Sequence, residues 1–512
     1  MQPHSHPYSE EPAVASTDPA VVDTSSGPVR GRRTADGTVF LGVPYAAAPA
    51  GPDRFTAPHA HQPWTGVRDA TAPGPTAPQP TRDTFGTLDM SPFFGPGWQH
   101  GHDYLTVNIW APPRRQFPVP VLVHVHGGAF ISGSVNAALY DGAAFARDGV
   151  MLVTVNYRLG IPGFLQLPDA PDNRGLLDVL AALHWVRDNA ERFGGDAASI
   201  TLAGQSAGAT LVGGILASPG SDRLIRRAIM QSGNGNGAFT GEQAALVTAA
   251  VGARLGSAPS AAGLADLPDQ RLVDLVADLG QLDLRTATHH DPLGGLTPFS
   301  LVLDRQPAAT LPDESRIDLL IGHNRDEGNL YLAPLGQMTG TTDDDVRATA
   351  ARFHPRPAEL VDAYRRSRPT ATPGELRAAI LGAGLFKDGT RAMAEAHTAT
   401  ADAATFRYEF TWRSDAADGH LGSSHVMELP FVFDIADRPF LHGPNALLGS
   451  TRPPSGLASR MHAAWVRFVT TGNPGWRATS AADPCVQLIG DDWKLTSPPF
   501  PAEAAAWAAS TH

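Results

Sequence analysis

With 512 residues, 42% apolar and 18% charged, the chain has enough apolar side chains for a large core, and its 52 glycines and 45 prolines, evenly scattered, exclude a fibrous or disordered polymer. A net charge of −12 works against nucleic-acid binding, and Arg30, Arg32 and Arg33, the nearest thing to a basic run, read as a solvated strand edge. One cysteine, Cys485, excludes an intrachain disulfide and a C-x-x-C motif, and no run of about 18 apolar residues offers a membrane span.

In chain order, residues 1–22 are polar and rich in Pro, Ser, Glu and Ala, and they predict a flexible tail. The tail lacks the cationic and apolar regions of a secretory signal, which points to the cytoplasm. His4 and His6 on it read as solvated. Short apolar runs from Val29 to Tyr45, broken by Gly and Asp, predict an antiparallel hairpin. Residues 71–82 (TAPGPTAPQPTR) cannot hold a sheet ladder and predict a surface loop. Strands follow at Leu105–Trp110, Val119–His126 and Met151–Tyr157. Leu176–Glu191 has apolar residues at helical spacing, with Asn173 and Arg174 before it and the Gly194–Gly195 turn after it. Ser199–Ala203 is a further strand, running through a glycine turn into a small-residue helix from Ala207. Beyond residue 240 the chain is more helical, with strands at Asp318–Gly322 and Thr405–Trp412 and a helix over Gly456–Thr471. Strands alternating with helices predict an α/β fold: a central, mostly parallel twisted sheet, helices on both faces and large helical insertions. No linker divides it, so residues 23–512 form one domain.

The motif that carries chemistry is Gly204-Gln205-Ser206-Ala207-Gly208, a G-x-S-x-G pattern. Alone it is short enough to be a glycine-flanked turn serine. The strand before it and the helix after it supply the setting in which a sharp turn lifts the hydroxyl out of the sheet. That turn also aims the unpaired N–H groups of a helix N-terminus at charge forming beside the serine. Ser206 is therefore the candidate nucleophile. A serine needs a base, and its tetrahedral intermediate needs donors for the oxygen anion. His126-Gly127-Gly128-Ala129-Phe130 follows an apolar strand, and its small residues let backbone N–H groups face a substrate carbonyl. His124 and His126 fall on one face of that strand without a third ligand spaced nearby, so a hydrogen-bonding role for His126 is preferred to a metal.

The stretch Asn156–Ala209 resembles the type B carboxylesterase family, which includes cholinesterases and bacterial para-nitrobenzyl esterases. So do Phe40–Tyr45 (FLGVPY), Gly51–Phe55 (GPDRF), Asp103–Trp110 (DYLTVNIW), Ala228–Gly233 (AIMQSG) and Ala464–Pro474 (AWVRFVTTGNP). The likeness covers nearly the whole chain after residue 22 and implies an α/β-hydrolase fold. It also implies a triad in the order serine, acid, histidine. The acid lies in a segment similar to Ile321–Gly328 (IGHNRDEG), which gives Glu327 rather than Asp326; the histidine lies in one similar to Gly422–Phe433 (GSSHVMELPFVF), which gives His425. Spacing alone does not choose these two among 51 acids and 19 histidines. The resemblance further implies oxyanion donors at Gly128, Ala129 and Ala207, a hydroxyl at Ser232 near the triad, and a buried ion pair between Arg158 and Asp178.

The sequence departs from the family pattern at four places. Gln205 stands where the family often has Glu beside the nucleophile, which weakens any preference for cationic substrates. His102-Asp103-Tyr104 replaces a run that ends in cysteine, so the usual disulfide and the usual acidic partner of Arg54 are absent. Ala129 ends the glycine triple but still donates its N–H. Small residues around Gly295–Thr297 and Leu330 replace acyl-pocket aromatics, with Phe94, Trp98, Phe130 and Tyr331 as further candidates for the substrate pocket. The expected activity is hydrolysis of small to medium uncharged carboxylic esters through an acyl-Ser206 intermediate. No metal or cofactor is called for, because serine, base and backbone donors suffice, and the expected state is a monomer or weak homo-oligomer with no nucleic-acid or membrane partner. Carbamates, amides or a competing alcohol remain open as alternatives. A catalytically dead interaction protein would lack at least one triad residue.

Overall fold

The computed structural model describes residues 20–113, 116–280 and 282–508. A thirteen-stranded sheet runs through the molecule. Its twelve main strands are β1 (Ala20–Asp23), β2 (Pro28–Thr34), β3 (Gly37–Pro44), β4 (Thr106–Ala111), β5 (Val119–Val125), β6 (Met151–Val155), β7 (Gly195–Gln205), β8 (Arg227–Gln231), β9 (Asp318–Asn324), β10 (Thr405–Phe410), β11 (Val486–Ile489) and β12 (Trp493–Thr496). A two-residue strand, Arg68–Asp69, joins β2 off the main path. The order is β1-β2-β3-β4-β6-β5-β7-β8-β9-β10-β11-β12. From β6 to β11 all neighbours are parallel, while β1 to β4 and β12 add antiparallel margins.

The strand sequences explain the double burial. In β5 (VPVLVHV) Val121, Val123 and Val125 enter one apolar cluster, whereas Leu122 enters a second cluster on the opposite face with Leu152, Ala203, Ile229 and Leu320. Strands covered on both faces read as apolar runs rather than alternating ones. The first cluster is closed by α1 (Arg174–Phe193) and α2 (Ala207–Leu216); α1 begins after Asn173 at φ 55° and ends at Gly194 at φ 93°, both left-handed. Further helices, Gly241–Leu255, Asp269–Asp278, Asp343–Phe353, Pro357–Ser367, α3 (Pro373–Gly382) and α4 (Asp388–Thr400), form the helical insertions. The second face is covered in part by α5 (Leu457–Thr471).

The chain runs from β5 to β6 on one side, then through α1 to β7 on the other side of β5. That reversal leaves a crevice at the carboxyl ends of β5 and β7, the place where open α/β sheets bind ligands. The loop after β5 and the turn after β7 both open into it.

Two readings of the sequence need correction. The strand Ala20–Asp23 pairs with β2 in register Ala20 to Gly31, so residues 20–22 belong to the sheet and not to the tail; the remainder of the predicted tail, with His4 and His6, lies outside the described residues. The segment 71–82 has no regular structure, as its prolines demand, but it is not a surface loop: Thr76, Ala77, Pro78 and Gln79 are buried. Side chains replace the missing ladder there. Gln79 donates to the Gly133 carbonyl at 3.0 Å and accepts from its N–H at 2.8 Å, and Asn136 donates to the Gly74 carbonyl at 3.0 Å. No helix among the described residues is long and apolar enough to cross a membrane.

Candidate active site

Ser206 sits between β7 and α2 at φ 56° and ψ −124°, a conformation that side-chain-bearing residues adopt only under constraint. Its N–H donates to the Gln231 carbonyl at 2.9 Å, which ties the turn to β8. A Cβ on Gly204 would come within 2.5 Å of the Gly208 carbonyl carbon. One on Gly208 would press into the Val125 carbonyl and lie 2.6 Å from that of His126. Both glycines of the motif are thus fixed by backbone contact.

Glu327 follows β9 on a short turn, packed against α3 so closely that a Cβ on Gly382 would lie 2.6 Å from the Gly328 nitrogen. His425 follows β10 on the long loop 411–428, and its backbone N–H donates to the Glu327 carbonyl at 3.3 Å. The three side chains form one hydrogen-bonded run. His425 Nε2 lies 2.9 Å from Ser206 Oγ, and His425 Nδ1 lies 2.7 Å from Glu327 Oε2. Glu327 is fully buried. Burial opposes its charge, but the positive field and hydrogen bond of His425, the Ser232 hydroxyl at 2.6 Å and the Asn324 N–H at 2.7 Å hold its pKa below the usual carboxylate range. Phe386 stacks on the His425 ring at 4.0 Å, and Tyr331 tilts over it at 6.1 Å. Phe386 stands on a π-helical turn, Ala383–Lys387, between α3 and α4.

A second buried carboxylate lies beside this run. Glu428 accepts from Asn324 Nδ2 at 2.6 Å and from Gln231 Nε2 at 3.2 Å. Burial raises its pKa, opposed by the Asn324 bond and reinforced by the charge of Glu327. The two acids are driven apart, Glu327 towards the ionised form and Glu428 towards the neutral one.

The loop after β5 turns through Gly128 at φ 122°, Ala129 at φ 56° and Phe130 at φ 64°. Ala129 therefore holds a left-handed conformation that glycine adopts more readily. The carbonyls of this loop are tied down. That of Gly127 accepts from His126 Nδ1 at 2.7 Å, that of Gly128 from the N–H groups of Ile131 and Ser132, that of Ala129 from Thr297 Oγ1 at 2.8 Å, and that of Phe130 from the Gly160 N–H at 2.7 Å. The N–H groups of Gly128, Ala129 and Ala207 donate to no described protein group. Burial pushes His126 down to about 4, so its ring is neutral and donates from Nδ1 while stacking on Tyr157 at 4.5 Å. His124 makes no hydrogen bond through either ring nitrogen, and no group of three or more metal-ligating side chains occurs among the described residues.

Ser206, Ala207, Gly128, Ala129 and His425 open onto a cavity of about 610 Å³. Phe94, Phe130, Leu330 and Tyr331 line it, as do Gly295 and Thr297. Trp98 does not: past the Gly95–Pro96–Gly97 turn its ring lies tilted against His100, with centroids 4.2 Å apart. Gln205 is wholly buried, with Nε2 3.3 Å from His425 Nε2 and Oε1 unpartnered. Arg54 does have an acidic partner, Asp269 at 3.1 Å, supplied from another helix. Arg158 and Asp178 pair at 2.7 Å, both buried. The sequence reading missed Asn324, Phe386 and Glu428. Of these, Asn324, three residues before Glu327, and Glu428, three residues past His425, had positions that could have drawn attention.

Comparison with known proteins follows the same lines. The sequence matches the carboxylesterase family over residues 18–486. It is 35% identical to phenmedipham hydrolase of Pseudarthrobacter oxydans over 478 residues, which is 89% of this chain and 92% of that protein. It is 33% identical to para-nitrobenzyl esterase of Bacillus subtilis over 474 residues, 90% and 91% of the two chains. Its structure superposes on a crystal structure of the Geobacillus stearothermophilus carboxylesterase with a TM-score of 0.79, at 31% identity over 95% of this chain and 99% of that one. A para-nitrobenzyl esterase structure gives a TM-score of 0.80 at 30% identity, with the same coverage. The fold is that of the α/β-hydrolases, and the chain belongs to the carboxylesterase family of carboxylic ester hydrolases.

Proposed function

We propose that the chain hydrolyses small to medium carboxylic esters in two steps through an acyl-Ser206 intermediate, with Ser206, His425 and Glu327 as its triad. His425 Nε2 takes the Ser206 proton as Oγ attacks the ester carbonyl. Glu327 fixes the imidazole with Nδ1–H towards the carboxylate and stabilises its charged form. The oxygen anion that forms is received by the N–H groups of Gly128, Ala129 and Ala207, with the N-terminus of α2 behind them. His425 then returns the proton to the leaving alcohol, and water activated by the same ring releases the acid. Gln205 and Ser232 support the run from behind. The lining beside Ser206 is aliphatic and aromatic, which suits an uncharged reacting half. The unit that does this is one domain that begins with the strand Ala20–Asp23, acting as a monomer or weak homo-oligomer. A buried, unpaired Cys485 fits a cytoplasmic setting.

The observation that carries this reading is the unbroken run of 2.9 Å and 2.7 Å hydrogen bonds linking residues 206, 425 and 327. The test is a series of para-nitrophenyl esters from acetate upward, assayed on wild type and Ser206→Ala. Turnover favouring short chains in the wild type and a loss of about 10³-fold or more in the variant are expected. Comparable rates in the two proteins would reject the proposal.

A further inference from the structure

The charge of the cavity differs from that of the molecule around it. The chain carries −12 overall, yet the charged side chains lining the cavity, apart from His425, are three arginines (Arg82, Arg352 and Arg377) and one acid, Asp345. Three of these four are occupied. Arg352 donates to the Gly294 carbonyl at 2.7 Å, Arg377 to Thr349 Oγ1 at 3.2 Å, and Asp345 accepts from the Thr342 N–H at 2.8 Å as a helix cap.

Arg82 is different. Arg82 lines the cavity half-buried, and its guanidinium forms no ion pair and no hydrogen bond with any described residue. Burial pushes its pKa down, the mark of a cation short of both water and partners. The Tyr331 hydroxyl is likewise unpartnered among the described residues, and burial together with the charge of Glu327 keeps it protonated, so that it can donate to an incoming acceptor. A partly dehydrated, uncompensated arginine is costly unless something supplies the missing charge.

We propose that Arg82, with the Tyr331 hydroxyl, receives a carboxylate carried by the substrate. The preferred esters are then acidic ones, in which a neutral ester group lies at Ser206 while a free carboxylate reaches the Arg82 side of the same cavity. One free planar guanidinium matches one carboxylate in charge and in fork geometry. The inference rests on Ser206 chemistry as proposed above and replaces the uncharged ester expected from the sequence with one that carries a carboxylate away from the reacting group.

The experiment compares matched pairs. The para-nitrophenyl ester of glutaric acid is set against the same ester with its free carboxylate methyl-capped, which places the charge in the acyl half. The pair 4-acetoxybenzoate and its methyl ester places the charge in the alcohol half. In the wild type, kcat/KM for the acid is expected to exceed that for the capped partner by about tenfold in at least one pair, the scale of one charge-assisted hydrogen bond. Arg82→Gln should erase that ratio through KM, and Arg82→Lys should keep part of it. Equal ratios in wild type and Arg82→Gln, or a wild-type preference for the capped ester in both pairs, would overturn the inference. Should Arg82→Gln not fold, the wild-type ratios and Arg82→Lys decide the matter. Failure of the wild type to hydrolyse any of the four esters would instead strike at Ser206 itself, a separate outcome.

Discussion

Ser232 reaches the proposed triad through Glu327 alone. Its hydroxyl lies 2.6 Å from Glu327 Oε1, one of three donors that keep the buried carboxylate charged. Ser232→Ala leaves that oxygen with the Asn324 N–H alone. A Glu327 less firmly ionised orients and stabilises the imidazole less well, so kcat should fall about tenfold with KM little changed, and activity should be lost at a higher pH on the acid side than in the wild type. The sign follows from the depressed pKa of Glu327: its charge is present above the ordinary carboxylate range and is lost as pH falls through the lowered value. A pH–rate profile of the variant identical to that of the wild type would show that Asn324 and His425 suffice. At this scale Ser206 was legible, because its motif, strand and helix are contiguous. Glu327 and His425 were not legible from spacing: they lie 98 residues apart, and His425 lies 219 residues from Ser206, so only likeness to a family pointed to them. Arg82 had no signal at all, since nothing in a sequence marks an arginine that lacks a partner.

The strand–turn–helix junction is the element on which the rest is mounted. Gly208 lies against the carbonyls of Val125 and His126, so β5 and α2 meet with no room for a methyl group. Gly208→Ala must push α2 away from the loop after β5, separating Ser206 and Ala207 from Gly128 and Ala129. A loss of about 3 kcal/mol or more is expected, read as a lowered Tm together with lost ester turnover. Full activity at an unchanged Tm would mean that the junction yields more easily than its contacts imply. The parallel core was legible because doubly covered strands are continuous apolar runs of β-branched residues. The loop 71–82 was legible as a loop but not as a buried one. Its burial depends on bonds such as that between Gln79 and Gly133, which are 54 residues apart. Trp98 failed for a related reason: a bend at Gly95–Gly97, not the type of side chain, decides which aromatic faces the cavity.

For the molecule as a whole, acid is the expected weakness. Burial pushes His124 down to about 3 and His126 to about 4, and burial together with the charge of Lys387 pushes His323 to about 4. Unfolded histidines take up protons near pH 6.5, so stability is complete above that value and falls as pH drops towards the folded values. The slope is about 1.4 kcal/mol per pH unit for each ring. His124 is the cleanest probe, since neither nitrogen has a partner and its neighbours are the rings of Tyr140 at 5.1 Å and Phe433 at 5.3 Å. His124→Leu should flatten the fall of Tm between pH 6.5 and 4 without lowering Tm at neutral pH; an unaltered slope would remove His124 from the account. The tethered carbonyls of the loop after β5 have a consequence at the same scale. Thr297 and Gly160 come from distant stretches of chain, His126 and Ser132 from the two ends of the loop itself, and together they fix which way each amide of the loop points. Those dipoles acquire their directions once, when the chain collapses, and do not have to find them again at each turnover. The barrier to reaction then contains no entropy of loop ordering, and heat that loosens these tethers dissolves the fold and the chemistry in one event.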